Sequence, residues 1–147
     1  MTLTWQELVQ TAVALEEQGR DFYRHLAERA REMEARHVFT QLAAEEEEHA
    51  AFFRRWLPAG GQAVGEDTAS YLRALRRPEL FVGDEEALGD PRRALAVAIE
   101  AEKEAILYYT ELAALVRDEQ AREHLARLLK AEKLHLIEVR DRLEEGW

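Results

Sequence analysis

Apolar residues recur every three or four positions in four long runs of this chain, and each run is broken near its middle by a charged residue on the same face. At about 100° per residue, Phe39, Leu42, Glu46, His49, Phe53 and Trp56 share one stripe of a helix, while Glu47 and Glu48 point elsewhere. Leu125, Leu128, Glu132, His135, Val139 and Leu143 form a second stripe of the same kind. Two more stripes carry a single interruption: Trp5, Leu8, Val9, Ala12, Glu16, Gly19, Tyr23 and Leu26, then Leu95, Ala98, Ile99, Glu102, Ile106, Tyr109 and Leu112. The pattern predicts four amphipathic helices, each with a carboxylate where a soluble helix is normally apolar.

Start and stop signals place these helices. Thr4 and Glu7 have the spacing of a capping box, which opens a first helix running to about Arg31. After a turn at Glu32 to Glu34, the second helix runs until Pro58 and the Gly60-Gly61 pair end it. Residues 58–90 form a long connection with a short helix around Asp67 to Leu75. Asp90 then reads as an N-cap with Pro91 at the first helical position, opening a third helix to about Val116, and the fourth spans about Asp118 to Glu145. A connection this long lets the second and third helices run parallel, as in one class of four-helix bundle. The expected organisation is one all-α domain over 1–147, with hairpin one at 4–57, a crossover at 58–90 and hairpin two at 91–145.

A Glu-x-x-His pair puts two metal ligands on neighbouring turns of one face. Alone the spacing means little, because 24 Glu and five His in 147 residues produce roughly one such pair by chance. Recurrence makes it informative. Glu132 and His135 repeat Glu46 and His49 at an offset of 86 residues, whereas the decoy pair Glu34 and His37 meets Gln120 and Glu123 there. Sliding residues 12–57 onto 98–143 leaves 13 identities, among them Glu16, Tyr23, Glu46 and His49. Generic helical composition accounts for the matching Ala, Leu and Arg residues, but not for three inward polar residues and a Tyr at one offset. Glu16 lies about as far before the first turn as Glu46 lies after it, so at 1.5 Å per residue both reach one height in an antiparallel hairpin. Gly19, one turn beyond Glu16, reads either as close helix packing or as room left beside the carboxylate.

Glu16, Glu46, Glu102, Glu132, His49 and His135 are thereby expected at one level of the core. Burying four unpartnered carboxylates costs several kcal/mol each, more than the roughly 5–15 kcal/mol stability of a typical domain. Two divalent cations would balance them, and an oxygen-rich set with two imidazoles suits iron or manganese better than zinc. Composition narrows the field further. A formal net charge of −10 argues against nucleic acid, and Arg54-Arg55 and Arg76-Arg77 read as helix ends. There are no cysteines to form disulfides, zinc fingers or iron–sulfur ligands, and no apolar run long enough for a membrane span. No targeting pattern is visible at the start of the chain, so a cytoplasmic protein is expected. High Glu, Arg and Ala content fits a thermophile.

This is the ligand pattern of the ferritin-like di-metal carboxylate bundles. More closely, Ala12-Val-Ala-Leu-Glu16 through Phe22-Tyr23, followed by Leu42-Ala-Ala-Glu-Glu46-Glu-Glu-His49, resembles the rubrerythrin family. Ala98-Ile-Glu-Ala-Glu102 through Tyr108-Tyr109, followed by Glu132-Lys-Leu-His135, resembles it equally. The resemblance implies a site of two iron ions, with manganese as the alternative. In it Glu16 and Glu102 are terminal ligands, Glu46 and Glu132 bridge, His49 and His135 cap one ion each, and Tyr23 and Tyr109 orient ligand carboxylates. It also implies an oxidoreductase of peroxidase or ferroxidase type, acting on peroxide, dioxygen or ferrous iron. Two departures stand out. Ala105 occupies the place of an additional carboxylate ligand, which weakens the peroxidase expectation, and the absence of Cys implies an electron donor outside the chain. The alternatives are a non-catalytic iron-handling protein and a metal-free structural bundle. Two near-equivalent halves joined by a long crossover also suggest a homodimer that exchanges halves.

Overall fold

A computed structural model describes residues 3–56, 64–75 and 89–145. Five helices lie among them: α1 (Trp5–Arg29), α2 (Met33–Trp56), α3 (Glu66–Leu75), α4 (Pro91–Leu115) and α5 (Glu119–Glu145). Pro58, Gly60-Gly61, Arg76-Arg77 and most of the crossover lie outside the described residues.

The caps form as the sequence predicts. Thr4 and Glu7 exchange both bonds of the capping box, at 3.0 and 3.2 Å. Asp90 accepts from the Arg92 amide at 3.1 Å ahead of Pro91, and Asp118, which the sequence places only at the start of the last helix, accepts from the Ala121 amide at 2.9 Å. Each cap satisfies an amide that the first helical turn leaves without an intrahelical partner.

α1 ends two residues before the expected Arg31, for a reason that recurs in the second half. Ala30 leaves the helix in an extended conformation, and its carbonyl accepts from Arg36 at 3.1 Å. Val116 does the same after α4, and its carbonyl accepts twice from Arg122, at 2.6 and 3.2 Å. Arg36 and Arg122 are 86 residues apart. Their match is therefore a clamp on both interhelical turns and not a by-product of helical composition.

α1 packs along α2, α4 along α5, and the two hairpins meet through α1 with α4 and α2 with α5. Tyr109 donates to Glu16 and, further along α1, Tyr23 donates to Glu102, so residue numbers rise along α1 as they fall along α4. Glu46 with His135 and His49 with Glu132 set α2 and α5 antiparallel in the same way. With short turns inside each hairpin, α2 and α4 run parallel, the arrangement that the crossover allows.

The apolar core falls into two parts. One gathers Trp5, Leu8, Phe53, Leu112, Leu125 and Leu72 of α3 at one end of the bundle. The other gathers Phe22, Leu26, Phe39, Leu95 and Val139 at the opposite end. Between them lies a layer of acidic side chains and imidazoles. The stripe on α4 differs from expectation: Ile99 and Ile106 are half-buried, while Ala101, Ala105 and Tyr108 are buried. α4 has α1, α3 and α5 as neighbours, so its covered face is wider than one stripe, and small Ala side chains line the added part.

Leu125→Ala, at a fully covered position, is expected to cost about 2–5 kcal/mol of stability. Leu134→Ala, at a position 56% exposed, should stay within about 0.5 kcal/mol. Urea unfolding of both metal-free variants checks the contrast, and similar losses would contradict the core assignment.

Candidate metal centre

One carboxylate comes from each long helix: Glu16 from α1, Glu46 from α2, Glu102 from α4 and Glu132 from α5. None is more than 2% exposed. Each sits mid-stripe, so the packing that buries its apolar neighbours carries it inward as well. His49 and His135 follow Glu46 and Glu132 by one turn and turn Nδ1 toward the carboxylates. His49 Nδ1 lies 2.8 Å from Glu132 Oε1 and 3.5 Å from Glu16 Oε2. His135 Nδ1 lies 2.9 Å from Glu46 Oε1, 3.7 Å from Glu132 Oε2 and 4.0 Å from Glu102 Oε1. The two imidazoles face each other with ring centroids 5.8 Å apart.

These residues form two overlapping groups, Glu16, Glu46, His49 and Glu132, and Glu46, Glu102, Glu132 and His135. Within each group, one ligand atom per residue lies within 4.8 Å of all the others. Glu46 and Glu132 belong to both.

Tyr23 and Tyr109 are fully buried and donate across the interface between hairpins. Tyr23 Oη donates to Glu102 Oε1 at 2.7 Å, and Tyr109 Oη to Glu16 Oε1 at 2.9 Å. Each tyrosine thus serves the carboxylate of the opposite repeat. Both phenols are held well above their ordinary range, first by burial and then by the surrounding carboxylates, so they remain donors.

The layer's protonation follows from burial and mutual repulsion. Burial pushes Glu46 well up, and Glu132, Glu16 and Glu102 push it further. Burial likewise raises Glu102, with Glu132 adding to the effect. Glu16 goes the other way, because protonated Glu46 and His49 together outweigh the cost of its burial. His49 resists its own desolvation because Glu132 accepts from it and the Glu16 carboxylate lies close by, and it is raised to about 10. His135 is also raised, its burial being outweighed by Glu45 and the core carboxylates. Without ions, protons hold the layer together.

Two buried atoms remain unserved. Glu16 Oε2 and Glu102 Oε2 make no hydrogen bond. A buried acceptor without a partner costs roughly 1–3 kcal/mol, more when charged. Glu16 belongs to one of the groups above and Glu102 to the other, and a divalent ion in each group would give these carboxylates a further partner. Four oxygen ligands and two inward Nδ1 atoms, with −4 to set against +4, fit a pair of hard or borderline cations.

The six residues singled out as ligands thus converge, and the decoy does not join them. Glu34 is exposed and pairs with Arg142 at 2.9 Å, and His37 is exposed. Glu47 turns outward to Arg20 at 2.6 Å. Gly19 is buried in α1. Ala105 is buried one turn after Glu102 and offers no ligand. Glu45 was not foreseen: its Oε2 lies 2.5 Å from His135 Nε2. Its place at the edge of the α2 stripe, beside Glu46, was the available signal, but its counterpart at the repeat offset is Ala131, so a search by recurrence discards it.

A family model described as Rubrerythrin matches residues 7–141. A crystal structure from Thermotoga maritima, provisionally assigned as a ferritin-like diiron-carboxylate protein, is similar to this chain with a TM-score of 0.83 and 25% identity. The similarity covers 99% of this chain and 98% of that one. A search of curated proteins found no match to the sequence. Among the described residues, no helix is long and apolar enough to cross a membrane.

Tyr109→Phe leaves Glu16 Oε1 buried without its donor, and is expected to cost about 1–3 kcal/mol in urea unfolding of the metal-free protein. An unchanged midpoint would show that the hydroxyl does not hold the carboxylate.

Proposed function

This chain belongs to the rubrerythrin family, and on that footing we propose that it is a non-haem di-iron oxidoreductase reacting with peroxide or dioxygen. The observation that carries the reading is the pair of ligand groups sharing Glu46 and Glu132, with a buried oxygen left unserved on both Glu16 and Glu102. In this reading Glu16 and Glu102 each bind one ion terminally, Glu46 and Glu132 bridge, and His49 and His135 give Nδ1 to one ion each. Two iron ions, or manganese in their place, would supply the redox chemistry when bound.

The chain's own residues set the conditions for that chemistry. The apolar halves of the core above and below the layer exclude bulk water. Tyr23 and Tyr109 fix the rotamers of Glu102 and Glu16, and their raised phenols keep the proton on oxygen. These 147 residues hold no thiolate, so in this reading none of them carries electrons to the centre as an iron–sulfur ligand. Ala105 favours a second reading in which ferrous iron itself is the substrate and the protein handles iron, since the position gives no further carboxylate to the site.

Metal analysis and rapid mixing test these readings. Two equivalents of iron are expected in the native protein, lost together in Glu46→Ala or Glu132→Ala because each serves both ions. Unchanged metal content in these variants would defeat the shared site. Stopped-flow mixing of the di-ferrous protein with peroxide and with oxygen should give oxidation faster than that of free ferrous ion. Preference for oxygen over peroxide would favour iron handling, and no acceleration with either would sink the redox reading.

Ion uptake must also displace protons, since Glu46, Glu102, His49 and His135 are all raised. Groups with raised values stay protonated to higher pH, and protons compete more strongly with the ions as pH falls, so affinity should drop with falling pH. At pH 7 loading should release protons into weak buffer, read with an indicator dye. Loading without proton release would contradict the protonation assigned to the layer.

A further inference from the structure

The repeat that builds the centre is broken at one place beside it. His135 is held at both nitrogens: Nδ1 faces Glu46 at 2.9 Å, and Nε2 meets Glu45 Oε2 at 2.5 Å. His49 is held at one. Its Nδ1 faces Glu132 at 2.8 Å, and among the described residues its Nε2 has no partner. The difference lies in the sequence, because the repeat offset that carries His135 onto His49 carries Glu45 onto Ala131. Exposure follows it: the His135 side chain is 3% exposed and that of His49 13%. Glu45 lines a groove between α2 and α5 that reaches His135, so its carboxylate covers the outer edge of that ring.

A carboxylate on the outer nitrogen of a ligating imidazole fixes which nitrogen keeps the proton, fixes the ring's orientation and raises the basicity of the inner nitrogen. With Nε2–H committed to Glu45, Nδ1 is held facing Glu46, Glu102 and Glu132 before any ion arrives, and the Nδ1 proton is the one an ion displaces. The His49 ring is held from its inner edge alone, by Glu132, with nothing among the described residues on Nε2 to fix it from outside. We propose that Glu45 is a positioning residue that makes the two metal positions unequal, the one formed with His135 being the tighter and first filled, the one formed with His49 the weaker and more readily exchanged. This inference rests on the two-ion reading above and adds an order to it.

The test uses the full metal-free chain titrated anaerobically with Co²⁺, followed by calorimetry and by the visible ligand-field bands of the bound ion. Wild type is expected to take two equivalents in unequal steps. Glu45→Ala should weaken the tighter step about 10–100-fold and leave the other in place, so that the steps converge. Glu45→Gln should restore most of the difference, because its carbonyl oxygen still accepts from Nε2–H. In a His135→Ala background, Glu45→Ala should have no further effect. The Glu45 side chain is 36% exposed, so the chain tolerates its loss. Uptake of two ions with equal weakening of both steps in Glu45→Ala, with no weakening, or with the same weakening in the His135→Ala background overturns the ordering while leaving the two-ion centre intact. A wild-type chain that takes up no Co²⁺ overturns the centre and the ordering together.

Discussion

Four carboxylates buried in one layer between two apolar half-cores must be neutralised, and most of the architecture follows from how this is done. The shortest contacts in this layer cross from one hairpin to the other. His49 of the first half faces Glu132 of the second, His135 of the second faces Glu46 of the first, and Tyr23 and Tyr109 cross in the same sense. Separating the halves would leave each with two inward carboxylates and no donors from the partner repeat. The polar layer therefore sets the register between hairpins, which the apolar side chains above and below define less sharply, since apolar contact is not directional.

The same layer explains why the site is poised for cations and not simply satisfied. Protons on Glu46, Glu102 and the two imidazoles relieve much of the repulsion, while Glu16 Oε2 and Glu102 Oε2 are left with no hydrogen-bond partner. An apolar replacement of the layer would be the more stable solution for a bundle alone, because buried ionic groups rarely stabilise better than well-packed hydrophobic ones. Retaining it in both halves points to a use that the fold does not require.

Much of this could be read from the chain because two independent patterns agreed. Helical periodicity put Glu16, Glu46, Glu102 and Glu132 on inward faces, and the repeat separated His49 and His135 from the Glu34 and His37 pair. What escaped was of two kinds. Arg36 and Arg122 matched in the repeat, but only the extended Ala30 and Val116 carbonyls give that match a purpose, and the exit geometry of a helix is set by tertiary contacts. On α4, the broader covered face of Ala101, Ala105 and Tyr108 depends on having three neighbours, which a single stripe does not encode.

Glu45 belongs to neither kind, and it shows where reasoning by recurrence stops. A repeat reveals what both halves must share, which here is the constellation of inward carboxylates and imidazoles. It is blind to whatever distinguishes the halves. A centre with two strictly equivalent positions offers a reactant the same surroundings at each ion, whereas one in which an outer carboxylate pins a single imidazole has a firm side and a yielding side. Ala131 opposite Glu45 is in this sense as informative as any matched pair in the chain: with the inner ligands held common to both halves, the departure from symmetry falls on the residue just outside them.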